Sequence, residues 1–350
     1  MWTLKELERE IDDIRGRINQ HRRELKEYFV QRSEEVDLAT VCACAQEPLL
    51  LVGPPGTAKS DLVVKFVESL GLGEGDYFEY MLTKFTEPSE ILGPIDIDQL
   101  KQGRFIRRTK AKLPEARVAF LDEIFKSNSA ILNTLLTIVN ERKFYQDGAP
   151  VPVALRMLFA ATNDIPEQSE LDALADRFVL KVETRPVKDT HFTELIDAGI
   201  MNEVYRATEQ RPWARGTASF DDFLKMKRFM DLTFGAGGHG SADREQWFPT
   251  PVFAEFRRIV RTLETEDKVF ISDRKLVKLY KVIRTRAFLF HGGAVRSDDL
   301  SLLGYSGNRR QELGVVQDKA RALLGLDGQP ALSGAMPRRR ALKDAATPQQ

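Results

Sequence analysis

A parallel β-sheet flanked by helices, followed by a smaller all-helical domain, is the α/β architecture this sequence predicts. Three observations carry the prediction. The apolar run Leu49-Leu50-Leu51-Val52 passes through a glycine- and proline-rich turn into a helical stretch from Lys59 to Leu70. Two later apolar runs end in polar residues, Val118-Ala119-Phe120-Leu121 in Asp122-Glu123, and Leu158-Phe159-Ala160-Ala161-Thr162 in Asn163. Short unbroken apolar runs suit strands buried on both faces, as in parallel sheets covered by helices. Beyond Glu183 the pattern turns helical.

The first turn reads Gly53-Pro54-Pro55-Gly56-Thr57-Ala58 and leads into Lys59-Ser60. Such a turn points successive backbone N–H groups inward, and the helix N-terminus adds its dipole, so the site favours a polyphosphate. Lys59 is expected against the β- and γ-phosphates, with the Ser60 hydroxyl on Mg²⁺. The pattern G-x-x-x-x-G-K-[ST] wants glycine where Ala58 stands. Alanine suits that position only if it needs no positive φ, because Cβ penalises the left-handed region. A glycine-rich strand–helix turn without a ligand is the alternative, so a second element has to support the first.

The run ending in Asp122-Glu123 is that element. Ligands of open α/β sheets bind at the carboxyl ends of the strands. Asp122 is expected in the Mg²⁺ shell, and Glu123 to orient and deprotonate an attacking water. Two acids after a strand also occur simply as a helix start. Behind a phosphate-binding turn the hydrolytic reading is the stronger. Asn163 ends the third strand at the same edge, where an amide positions water or senses the γ-phosphate; its alternative is a cap on the turn before Pro166.

These elements, followed in order by Leu174-Ala175-Asp176-Arg177-Phe178, resemble the AAA+ ATPases. The wording is most similar to the MoxR family and, within it, the RavA-like branch, whose sequences also carry alanine before the lysine. Leu121-Asp122-Glu123-Ile124, Ala130-Ile131-Leu132-Asn133-Thr134-Leu135-Leu136, Asn140-Glu141-Arg142 and Ile271-Ser272-Asp273-Arg274 extend the likeness over roughly residues 32 to 303. The resemblance implies an AAA+ P-loop NTPase core with a smaller all-α lid, using ATP and Mg²⁺. It further implies a ring, expected to be a hexamer, that hydrolyses ATP between subunits and drives chaperone-like remodelling or maturation of a partner bearing a von Willebrand factor A domain. Arg177 matches the arginine finger that acts on the neighbouring protomer's nucleotide, and Arg274 the sensor-2 arginine acting in cis. Arg142 is a further interface candidate. Each of the first two has a plainer alternative, Arg177 as a helix C-terminal charge and Arg274 as a solvated helix start.

Composition fits a cytoplasmic machine. The 350 residues are 42% hydrophobic and 30% charged with formal net charge zero, which suits a two-domain globular chain and argues against a polyanion binder. A nucleic-acid-translocating motor stays as the rival, because the same AAA+ branch contains such enzymes and residues 101–112 are basic. Salt-sensitive DNA binding discriminates it. No apolar run is long enough to span a bilayer, and the first helix is charged rather than a signal peptide. Cys42 and Cys44 read as buried, reduced thiols without metal partners.

The expected domains are an N-terminal helical arm (1–31), the ATPase core (32–183), a helical lid (184–325) and a disordered tail (326–350). Leu4, Leu7, Ile11, Ile14, Ile18, His21, Leu25 and Tyr28 recur at spacings of three and four, an a/d seam. The seam serves equally a helix docked on its own core or a coiled coil or partner-docking arm. Insertions are expected near 94–114, basic around Phe105, and at 143–153, a hairpin turning at Asp147-Gly148; by resemblance both project toward a pore. The glycine-rich segment from Gly235 to Gly240 reads as a mobile loop.

Overall fold

The computed structural model describes residues 2–167, 169–235 and 241–326. Residues 236–240 of the glycine-rich loop and the tail beyond 326 lie outside them. In chain order the elements are α1 (Leu4–Lys26), α2 (Ser33–Ala45), β1 (Leu49–Val52), α3 (Lys59–Glu68), β2 (Tyr77–Met81), α4 (Pro88–Leu92), α5 (Ile97–Lys101) and β3 (Val118–Asp122). After a 3₁₀ turn come α6 (Ser129–Glu141), β4 (Lys143–Gln146), β5 (Ala149–Pro152), β6 (Met157–Thr162), α7 (Ser169–Ala175) and β7 (Leu180–Glu183). The lid follows with α8 (Phe192–Ala207), α9 (Phe220–Gly235), α10 (Ser241–Trp247), α11 (Thr250–Thr265), α12 (Asp273–His291), a 3₁₀ segment (Ser297–Tyr305) and α13 (Arg310–Leu323).

Five strands form one parallel sheet in the order β2-β3-β6-β1-β7. Their side chains alternate between two cores. Leu49, Leu51, Phe120 and Phe159 pack on one face with residues of α2, α3 and the lid; Leu50, Val52, Leu121 and Ala160 pack on the other with α6 and α7. Burial on both faces is why these strands read as unbroken apolar runs. Placing β6 between β3 and β1 brings the polar residues that follow each strand to one edge of the sheet.

The arm is not a separate unit. Thr3 and Glu6 close a capping box at the start of α1, and its seam residues Leu7, Ile11, Ile14, Ile18, His21 and Leu25 are buried. They share one core with Phe223, Met226 and Met230 of α9 and with residues of α2 and α12. Arg17 pairs with Asp222, Thr217 donates to Glu24, and the Tyr28 hydroxyl donates to the Pro212 carbonyl at 2.9 Å. The docked-helix alternative is therefore the one observed, and the coiled-coil reading is corrected. A seam already filled by α9 has no face left for a second helix.

Residues 143–153 fold as an antiparallel hairpin whose turn residues Asp147 and Gly148 both have positive φ. The hairpin is tied to the basic insertion at one point. Asp147 accepts the Phe105 N–H at 2.9 Å and returns its own N–H to the Phe105 carbonyl at 3.0 Å. Cys42 and Cys44 lie buried in α2 as free thiols, and burial pushes both thiols up. Among the described residues no helix is long and apolar enough to cross a membrane.

Candidate nucleotide site

The turn after β1 is clamped from two sides. The Gly53 N–H donates to the Thr162 carbonyl at 3.1 Å, and a Cβ at Gly53 would lie 2.3 Å from the Thr184 carbonyl oxygen, so no side chain fits there. Thr57 Oγ1 bonds the Pro54 carbonyl at 2.9 Å, and Arg32 reaches the carbonyls of Thr57 at 3.2 Å and Arg185 at 2.7 Å. Beside Gly56, at φ +79°, the space a Cβ would take is open. Ala58 has φ 61° and ψ 24°. The condition set for alanine is thus not met: the position does demand the left-handed region, and the chain holds an alanine there against a cost of about 1 kcal/mol. Strain of this kind persists where the surroundings over-determine the backbone.

Lys59 begins α3, folds over the turn and is 7% exposed. Its Nζ donates to the Gly53 carbonyl at 2.6 Å, the Pro54 carbonyl at 2.9 Å and Asn163 Oδ1 at 3.4 Å. Burial lowers its pKa, while Asp122 and Glu123 pull the other way. Ser60 Oγ donates to Asp122 Oδ2 at 3.0 Å. Glu123 sits just beyond β3 at φ 52°, with its N–H on Asp122 Oδ1 at 2.8 Å. Its carboxylate accepts from the Asn163 side-chain amide and lies 3.1 Å from Lys126 Nζ. Lys59, Ser60, Asp122, Glu123 and Asn163, read from three separate stretches of sequence, are brought into one cluster.

One member was not anticipated. Arg310, the first residue of α13, donates through Nη1 to the Asn163 carbonyl at 2.7 Å and stands 3.6 Å from Asp164 and 4.0 Å from Glu183. It is close enough to Lys59 to oppose that lysine's charge. A lid cation thus closes over the strand ends.

A sequence profile for the MoxR domain of MoxR–vWA–β-propeller ternary systems matches residues 16–221, and one for an AAA lid domain matches residues 252–316. The chain belongs to the MoxR family of AAA+ ATPases.

Relatives of this MoxR protein include two uncharacterized proteins of Methanocaldococcus jannaschii. MJ0079 is 32% identical over 84% of this chain and 70% of its own length, and MJ0812 is 33% identical over 81% and 69%. Structural protein ORF618 of Acidianus two-tailed virus is 34% identical over 49% of this chain and 28% of its own. The crystal structure of a candidate ATPase from Cytophaga hutchinsonii superposes with TM-score 0.67, covering 90% of this chain and 98% of that one at 18% identity, a likeness of fold.

The remaining arginines divide. Arg177 follows α7, ion-pairs at 3.7 Å with Asp176, and has its pKa lowered by burial and by the nearby Arg274. Arg274 is exposed in the first turn of α12, on the Arg177 side. Arg274, expected as the cis lid arginine, is thus not brought beside Lys59 and Asn163; the lid arginine found there is Arg310. The reason is local: Ser272 caps α12 and donates to Asp176 at 2.8 Å, which anchors that helix start next to Arg177 instead. The signal for Arg310 lay in Ser306-Gly307-Asn308 before an amphipathic helix. Arg142, the further interface candidate, caps α6 at φ 52° and donates to the Gln46 carbonyl at 3.2 Å within its own chain, and burial lowers its pKa.

The site's chemistry fits a magnesium nucleotide. Mg²⁺ prefers one or two protein oxygens completed by water and phosphate, and Ser60 Oγ with Asp122 Oδ2 offers such a pair of hard donors. Among the described residues no group of three or more His, Cys, Asp or Glu forms an all-protein metal cage.

Proposed function

We propose that this MoxR protein hydrolyses Mg-ATP at the subunit interfaces of a ring, expected to be a hexamer, to drive chaperone-like remodelling or maturation of a partner protein. The convergence of Lys59, Glu123, Asn163 and Arg310 on one sheet edge carries the reading. The amides from Gly53 to Ser60 cradle the phosphates, and Lys59 turns from the loop carbonyls to the β- and γ-oxygens. Ser60 and Asp122 would hold Mg²⁺, and the ion would supply charge neutralisation on the phosphates. Glu123 orients the attacking water and takes its proton, and Asn163 fixes that carboxylate and the water's approach. Arg310 meets the γ-phosphate from the lid of the same chain.

Arg177 is the group the neighbouring protomer receives. Its partial burial beside Asp176 and Arg274 supports a cation held ready for an anion rather than a freely solvated one. The exposed apolar residues Phe192, Ile196, Ile200 and Val204, one helical turn apart along α8, are a face that subunit contact would cover. The family's description supports the partner: the matching profile is of the MoxR domain in MoxR–vWA–β-propeller ternary systems. A vWA-domain protein is the expected client.

Steady-state ATPase assays on Glu123→Gln test the reading. Turnover falls by at least about a hundredfold while ATP binding persists, whereas Lys59→Ala weakens binding itself. Near-normal hydrolysis by Glu123→Gln would remove Glu123 from the role.

A further inference from the structure

The joint between core and lid holds a buried polar cluster that the chemistry above does not use. Lys181 of β7 and Lys275 of α12 are each 1% exposed. Both ammonium groups converge on one atom, Asn308 Oδ1, at 3.0 Å and 2.6 Å. Lys181 also donates to the Phe178 carbonyl at 3.0 Å, and Lys275 to the Ser306 carbonyl. Asn308 Nδ2 donates to the Phe270 carbonyl at 2.9 Å, and its N–H to Glu312 at 2.7 Å. The opposing charges are Asp176 and Glu312.

Two buried lysines sharing one amide oxygen is a costly arrangement. Burial, and then Lys275, holds the Lys181 ammonium well below its usual range, and burial brings Lys275 down to about 8. Apolar side chains of similar volume would join two domains at lower cost. Position distinguishes the cluster from mere packing. Asn308 stands two residues before Arg310, which rests on Asn163. Lys181 is anchored to the carbonyl of Phe178, the residue after Arg177. Asp176, whose charge both lysines face, accepts Ser272 Oγ at 2.8 Å, keeps its Oδ1 buried without a hydrogen bond, and pairs with Arg177.

We infer that this cluster is a latch in which Asn308 is a positioning residue, setting Arg310 over its own protomer's site and Arg177 toward the neighbouring site as one unit. The inference rests on the nucleotide reading above and deepens it. A movement of Arg310 with its phosphate carries Asn308 along, and the acceptor shared by Lys181 and Lys275 moves with it. Lys181 is fixed to Phe178, so the displacement reaches the turn that bears Asp176 and Arg177. The occupancy of one site thereby sets the arginine offered to the next.

The test compares the full-length wild type, Asn308→Ala and Asn308→Asp by amide hydrogen exchange and by ATPase kinetics. In Asn308→Ala, exchange accelerates by about tenfold in both 174–180 and 306–313, and kcat falls by about tenfold. Asn308→Asp keeps an acceptor for both lysines and gives up the Nδ2 donation to the Phe270 carbonyl, which lies outside both segments, so it retains protection within about threefold of wild type in both and kcat within about threefold. Acceleration confined to 306–313, or unchanged kcat in folded Asn308→Ala, overturns the latch. Should Asn308→Ala fail to fold, Asn308→Asp decides: protection retained in both segments supports the latch, and protection lost overturns it. A wild type that hydrolyses no ATP would refute the nucleotide reading instead, and the exchange comparison would still judge the latch.

Discussion

Arg310 donates to the backbone carbonyl of Asn163 at 2.7 Å, while the Asn163 side-chain amide holds the Glu123 carboxylate. One asparagine therefore joins the lid to the group assigned to water activation. In the proposed mechanism, lid position and readiness for hydrolysis are linked through that residue.

Arg310→Ala is expected to lower turnover by at least about tenfold and weaken ATP binding more than ADP binding, since the proposed mechanism brings its charge to the γ-phosphate. Arg274→Ala should leave nucleotide affinity close to wild type. Titration of both variants with fluorescent ATP and ADP analogues checks this, and the opposite ranking would restore Arg274 to the cis role.

Ala58→Gly relieves a left-handed alanine at φ 61°. Thermal unfolding should show it equal to or up to about 1 kcal/mol more stable than wild type, the gain in φ freedom being partly offset by a more flexible unfolded chain. A clear loss of stability would mean that the alanine methyl makes a contact worth more than the strain.

Two buried bases make stability depend on pH. His21, 3% exposed with Nε2 2.6 Å from Ser69 Oγ, is brought down to about 4 by burial, against a mild opposite pull from Glu24. The unfolded chain takes that proton near 6.5, so the stability His21 contributes is present above that pH and lost as pH falls toward 4. The loss amounts to roughly 3 kcal/mol. Lys275, lowered to about 8 from 10.5, acts in the same sense at alkaline pH, and stability rises between those values. Glu35, raised to about 7 by burial, pulls the acid limb the opposite way, and Lys181, also lowered by burial, adds to the alkaline one. Urea midpoints of wild type, His21→Gln and Lys275→Met at pH 5, 7 and 9.5 therefore isolate each contribution: relative to wild type, His21→Gln should gain stability at pH 5 over pH 7, and Lys275→Met at pH 7 over pH 9.5.

The strand ends were legible because their chemistry follows directly on apolar runs. Leu49–Val52, Val118–Leu121 and Leu158–Thr162 each declare a buried strand, and the sheet edge then collects Gly53, Asp122, Glu123 and Asn163. Arg310 was hidden because two lid helices begin alike, Ser272-Asp273-Arg274 and Asn308-Arg309-Arg310. Which start faces the strand ends is decided by long-range contacts, Ser272 to Asp176 for one and Asn308 to Lys181 for the other. The seam of α1 carries the same spacing whether its partner is a second chain or α9, some two hundred residues on. Ala58 shows the same limit, since residue type names a preference and the clamp by Arg32 and Thr184 sets the dihedral.

The shared site is the central claim, and mixing two inactive variants tests it most directly. Arg177→Ala should bind ATP normally and hydrolyse it at least about a hundredfold more slowly, because its neighbour's site lacks the trans cation. Glu123→Gln lacks the base. When tagged preparations of the two are mixed and subunit exchange is verified, an interface with Glu123 on one side and Arg177 on the other regains a complete set. ATPase activity in the mixture above that of either variant alone is the predicted result. Full-rate hydrolysis by a monomeric preparation of the wild type, run alongside by light scattering, would contradict the account.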